Sequence, residues 1–180
     1  EVETVLHSSH RSFRPVDIKM GPRGAIYVVD WYNAIIDHGE VDFYHPLRDK
    51  SHGRIWRITA EDRPLLSVPA IAGAPLQDLL DLLKTREPYT RTQVKRELAS
   101  RPGGGMMKPV LEWVENLDRA DPHFEHHRLE ALWLLMGNGV APPGLLEVIL
   151  RSPSAQARAA AVRAASIWDS QAGEIDPLGI

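Results

Sequence analysis

The hydrophobic period of the chain switches once, at Glu61–Leu66 (EDRPLL), and nothing else in the sequence limits the fold as much. Upstream, apolar and polar side chains alternate, the period of a half-buried strand. Downstream, apolar residues recur every three to four positions, the period of an amphipathic helix. A segment patterned for one of these cannot bury its apolar face as the other. The chain is therefore expected to be mixed, with a β half over residues 1–62, a linker over 63–74 and a helical half over 75–180.

In the β half, Val16–Met20 (VDIKM) alternates, and Gly21–Gly24 (GPRG) supplies Pro and Gly at turn positions. Ala25–Trp31 (AIYVVDW) is a β-branched and aromatic run. Gly53–Thr59 (GRIWRIT) puts Ile55 on one face and Trp56 on the other, followed by Ile58. Three or four short antiparallel strands of this kind make one sheet with two open edges, which is marginal alone and normally packs on neighbours. The loop over residues 31–53 far exceeds the about five residues a hairpin needs. It is crowded with Asp, His, Asn, Tyr and Arg.

In the helical half, Pro75–Thr85 carries Leu76, Leu79, Leu80 and Leu83 at helical spacing. Further helices are predicted over Tyr89–Ser100, Met107–Leu117, Phe124–Met136, Gly144–Leu150 and Ser154–Trp168. Pro- and Gly-containing breakers separate most of them. Aligning RTQVKREL from Arg91, RLEALWLL from Arg128 and RAAAVRAA from Arg158 puts Val94, Ala131 and Ala161 in one column. Leu98, Leu135 and Ala165 fall in another. The steps between these arginines average roughly 34 residues, within the range of helical solenoids. The tetratricopeptide pattern is absent, so a HEAT-like or armadillo-like solenoid fits better.

The formal net charge is −3 with no basic stripe, which gives a phosphate-backbone contact with nucleic acid little support. There is no cysteine, hence no disulfide, thiolate metal site or c-type haem attachment among these residues. The longest apolar run, Ala131–Met136, is too short to span a bilayer. The chain opens at Glu1 without a methionine or a visible signal peptide and reads like the middle of something, so it is expected to be a fragment.

The stretch FRPVDIKMGPRGAIYVVDWYNAIIDHGEVDF (residues 13–43), with RDKSHGRIWRIT (48–59), closely resembles the closing blade of a particular β-propeller. That propeller belongs to large exported proteins of planctomycete and verrucomicrobial type, described as haem-binding and membrane-bound dehydrogenase-like. It is similar to the propeller of soluble glucose and sorbosone dehydrogenases. In that family HEAT-like repeats follow, then a cytochrome c segment with Cys-x-x-Cys-His. HHRLEALWLL (126–135) and ARAAAVRAASIW (157–168) are similar to the middle region. The resemblance implies an antiparallel β-propeller blade followed by an all-α HEAT/armadillo-like helical solenoid, in a periplasmic or otherwise extracytoplasmic protein. It also implies a propeller that binds or oxidises a small polar substrate, a sugar or an alcohol. Electrons would pass to a c-type haem outside this chain. The alternative is a non-catalytic interaction scaffold, the blade and repeats contacting other domains of the full-length protein or a separate protein partner.

Three readings of the 31–53 loop stand side by side. In the first it is a ligand or catalytic site, since rim loops on a rigid scaffold are where function concentrates. Asp30 and Asp42 then offer hard oxygen ligands suited to Ca²⁺. His38 and His52 would serve as general bases toward an alcohol or as ligands of a softer metal, with Asn33 and Arg54 on the substrate or ligand. In the second, Asp, Asn and Arg satisfy the backbone of an irregular loop, Arg48 and Arg54 pairing its carboxylates. In the third, Trp31, Tyr32, Phe43 and Tyr44 dock onto another domain. His10, His45 and the HFEHH group at 123–127 read as surface or capping residues. Trp113, Trp133 and Trp168 read as helical core. Arg91, Lys95, Arg158 and Arg163 read as solvated charges or as contacts for a partner on a concave face.

Overall fold

The computed structural model describes residues 3–37, 39–101 and 105–172, with side chains through 168. The chain divides into two compact units, Glu1–Pro69 and Ala70–Ile180. The fold is mixed: one three-stranded antiparallel sheet and six helices.

The sheet has the order β1-β2-β3, with β1 at Pro15–Met20, β2 at Ile26–Asp30 and β3 at Arg54–Ile58. Pro22–Gly24 makes a tight turn between β1 and β2, and Gly21 before it receives the Tyr27 ring. A Cβ at Gly21 would stand 2.3 Å from that ring, so the turn needs a residue without one. Paired residues share a face, and the register puts Ile18, Val28 and Trp56 in one row with Met20, Ile26 and Ile58 in the next. Ile58 therefore joins the face of Trp56, opposite Ile55. The same face ends in the pair Asp30↔Arg54. The pairing shifts between Pro15 and Asp17, which makes Val16 the extra residue of a bulge.

This unit has little apolar interior. Every residue of β1 is exposed, and the buried side chains described in the unit are Ala25, Val28, Asp30 and Asn33. Two of those four are polar, so the interior near the loop is a hydrogen-bonded network.

The helical unit is built differently. Its helices are α1 (Leu76–Leu82), α2 (Pro88–Ser100), α3 (Met107–Glu115), α4 (Phe124–Gly137), α5 (Pro143–Leu150) and α6 (Ala155–Ala172). Pro88 and Pro143 open α2 and α5, where a missing N–H costs nothing. Ser154 Oγ accepts the Ala157 amide at 3.2 Å to cap α6. At the end of α4 the amides of Gly139 and Val140 donate to Met136 and Leu135, and Gly139 sits at φ 70°. That is a Schellman cap, and its left-handed position calls for glycine. Consecutive helices pack in pairs, α1 with α2, α3 with α4 and α5 with α6, while α4 also touches α2 and α6. α4 is buried on nearly all sides, with Leu132, Leu134 and Leu135 in the core beside Leu98, Ile149 and Trp113. Both aligned columns are buried: Val94, Ala131 and Ala161, and Leu98, Leu135 and Ala165. Among the described residues no helix is long and apolar enough to cross a membrane.

Candidate functional site

β2 ends at Asp30, and the chain turns at once into the long loop. Asp30 is 1% exposed. Its Oδ1 accepts the amides of Arg14 at 2.8 Å and Tyr32 at 3.0 Å. Its Oδ2 accepts Arg54 Nε at 2.9 Å and Trp56 Nε1 at 3.0 Å. Arg54 Nη2 also stands 2.8 Å from Oδ2, as a charge contact without hydrogen-bond alignment. Burial pushes the carboxyl up, and the donors outweigh it, holding Asp30 below the usual carboxylate range. A carboxylate can accept about four hydrogen bonds, and here it accepts four from the protein.

Both Asp30 oxygens are thus engaged by donors of the chain itself. Asp42 is exposed, and its Oδ1 accepts the Tyr44 amide at 2.8 Å in a local turn. Among the described residues no three His, Asp or Glu side chains are grouped to hold a metal ion. Asn33, expected on a ligand, is buried; its Oδ1 accepts the Ile35 amide and its Nδ2 donates to the Asp49 carbonyl. Arg54 lies over the Tyr32 ring at 4.1 Å and the Trp56 ring at 5.0 Å while it holds Asp30. Arg48 spends its donors on the carbonyls of Asp37, Val41 and Asp42 instead of on carboxylates. His38 lies outside the described residues.

His52 is placed differently. Its Nδ1 stands 2.8 Å from Asp49 Oδ2, and 68% of its side chain is exposed. With the Nδ1 proton donated to Asp49, Nε2 is the free lone pair, the arrangement of a base oriented by a carboxylate. Asp49 is itself fixed by the amides of Ser51 at 3.0 Å and His52 at 2.9 Å. The Ser51 amide, more than any other group, holds the Asp49 carboxyl down to about 2, with the His52 side chain and amide adding to it.

Tyr32 completes the group. Its φ of 57° is left-handed, a rare state for a bulky residue that costs about 1–2 kcal/mol. The Asp30 bond to its amide and the stacked Arg54 hold it there. The ring then lies 5.5 Å from His10, stacked, and 6.0 Å from His52, edge on. Tyr32, Arg11, Arg48, Asp49 and His52 line an open cleft of about 560 Å³. The structure thus brings together His52, Asp49, Tyr32 and His10. Of these, the sequence points to His52 as a base and offers Asp49 only as one of the loop's polar candidates. The missed signal was local: an Asp two and three residues before Ser51 and His52 caps their amides.

One titration follows. Asp49 has a folded pKa below its unfolded value, so its stabilisation of the loop is complete above about pH 4 and is lost as pH falls toward 2. Carboxyl-detected NMR should find Asp49 titrating near 2. A value in the ordinary aspartate range would mean that the Ser51 and His52 contacts are absent in solution.

A family model described only as a domain of unknown function (DUF7133) matches residues 2–62, about a third of the chain, taking in all three strands and the long loop. No curated protein and no solved structure matches the chain.

Proposed function

We propose that this chain is a non-catalytic assembly segment of a larger, exported, haem-linked dehydrogenase-like protein. The β unit is one blade of a propeller, and the helical unit is a short HEAT-like scaffold. The observation that carries the reading is the sheet itself. Val16, Ile18 and Met20 on β1, Val29 on β2 and Ile55 on β3 are exposed, Ile55 to 70%. Large apolar side chains thus stand uncovered on both faces of a sheet that has almost no core of its own. Faces of this kind mark contact surfaces, and neighbouring blades would cover them. The loop fits the same role, because Asp30, Asn33 and Arg54 are spent on holding it in shape.

The scaffold reading of the helices draws on the paired packing and the buried columns. It also draws on Arg91 and Arg158, each of which donates to the carbonyl six residues before it, Thr85 and Ser152. That is one device repeated at two aligned positions.

His52 and Asp49 favour a second reading, in which the cleft beside Tyr32 receives a hydroxyl of a sugar or alcohol and His52 Nε2 takes its proton. The chain has no cysteine, so the attached haem would be carried outside residues 1–180.

Hydrogen exchange tests the first reading. In residues 1–180 alone, amides of Val16–Val29 should exchange at least about 100-fold faster than those of Ala155–Ser166, a gap of roughly 3 kcal/mol. Equal protection would show that the sheet needs no neighbours. Saturable shifts of the His52 ring signals on adding a sugar or alcohol would establish the second reading.

A further inference from the structure

A second cleft, in the helical unit, is lined differently from every other cavity described in the chain. It encloses about 210 Å³ between the end of α1, the start of α2 and the first turn of α4. Its lining is Lys84, Thr85, Arg86, Arg91, His123, His126 and His127, with no carboxylate and no apolar side chain. Arg86 is exposed and has no ion pair among the described residues. Lys84 is paired with Asp81 at 2.8 Å. Arg91 gives Nε to Glu130 and Nη1 to the Thr85 carbonyl.

His127 supplies an independent observation. Its side chain is 5% exposed, and Nε2 stands 3.2 Å from Asp121 Oδ2. Its Nδ1 is buried without a partner. With Nε2–H donated to Asp121, the neutral ring leaves a bare lone pair at Nδ1. Protonation makes that atom a donor for which the protein supplies no acceptor, and a buried donor left unpaired costs about 1–3 kcal/mol. His127 also lines the cleft, so an anion held there would stand beside this ring. The cleft also lies at the positive end of the fourteen-residue α4.

We propose that this cleft binds a tetrahedral oxyanion of phosphate type. Arg86 and His123 would reach it from the rim, and Arg91, His126 and His127 from the wall. The charged groups behind the wall are Glu130, Lys95 and Asp121. Glu130 is already held by Arg91 and Lys95, and Asp121 by His127, so none of the carboxylates stands in the cleft. Protonated imidazole adds positive charge to the lining, so binding should tighten as pH falls. This site is independent of the blade proposal and stands or falls without it.

The test is titration of the full chain with inorganic phosphate at constant ionic strength, followed by the histidine ring signals in NMR. Saturable, one-to-one shifts of His123, His126 and His127 are expected. Arg86→Ala with His123→Ala, both at exposed positions, should weaken binding about tenfold or more, that is by about 1.4 kcal/mol. Arg163→Ala, on exposed α6 surface, should leave it unchanged. Sulfate, dianionic throughout, should show the same tightening at lower pH, which separates histidine protonation from that of phosphate. Shifts that do not saturate, or that respond equally to Arg163→Ala, would overturn the site.

Discussion

Replacing Asp30 by alanine is expected to unfold the β unit and leave the helices intact. The change removes the only acceptor, among the described residues, for Arg54 Nε, Trp56 Nε1 and the amides of Arg14 and Tyr32. Removing one partner of a buried ion pair costs about 3–5 kcal/mol, and the two backbone amides add to that. A three-stranded sheet with an exposed first strand has no such reserve. The left-handed Tyr32 would also be released, and with it the contact of its ring with His52. Hydrogen exchange should show protection lost over Pro15–Asp30 and Arg54–Ile58 and retained in α2, α4 and α6. Asp42→Ala, by contrast, touches an exposed turn and should stay within about 0.5 kcal/mol. The comparison is sharp because the sequence offers both aspartates as oxygen ligands. Equal losses at the two positions, reproduced by a chelator in the unchanged protein, would return them to the metal reading.

What the letters reveal and what they conceal differ by the range of the interactions. The helices are legible because their apolar spacing and their breakers are local. Leu79, Leu80 and Leu83 are buried, as their spacing implies, and Pro88 and Pro143 mark helix starts. The strands are legible for the same reason. The face of Ile58 is not, since a run of five residues does not announce its register. Asp30 is the sharper case. A carboxylate at the end of a strand beside a polar loop suggests a ligand. Its donors come from Arg14, sixteen residues earlier, and from Arg54 and Trp56, twenty-four and twenty-six later. Only the pairing of β2 with β1 on one side and β3 on the other brings them to it. His127 hides in the same way: in HFEHH it reads as surface, but it sits on the inner side of a helix buried nearly all round. Arg91 and Lys95, read as solvated or partner-facing, are both committed to one buried carboxylate on α4.

That carboxylate, Glu130, carries the largest effect expected in the helical unit. It is 1% exposed and holds Arg91 Nε at 2.8 Å and Lys95 Nζ at 2.6 Å, with His126 Nε2 at 3.2 Å. Glu130→Ala leaves two cations without their counter-charge, Arg91 at 15% exposure and Lys95 at 27%. The expected cost is about 3–5 kcal/mol, with Lys95 toward the cheaper side because it can turn to solvent. In a unit of this size that lowers Tm by on the order of 15 °C. Replacing Glu130 by Leu together with Arg91 and Lys95 by Met should recover most of the loss, because apolar packing often matches a buried ion network. Failure of that triple variant to recover would mean that the bonds tying α2 to α4 matter in themselves. Histidine titration provides a further check. Burial, then Arg91 and the neighbouring histidines, lower the His126 pKa, and Glu130 pulls it back up without prevailing. The folded value lies below the unfolded one, so its contribution is complete above about pH 6.5 and declines as pH falls below it. Without Glu130 the upward pull of its carboxylate is gone, and the decline should steepen. Melting curves of both proteins between about pH 7.5 and 5 would show it. Parallel curves would mean that His126 does not feel Glu130 at all, and the 3.2 Å contact would lose its electrostatic meaning.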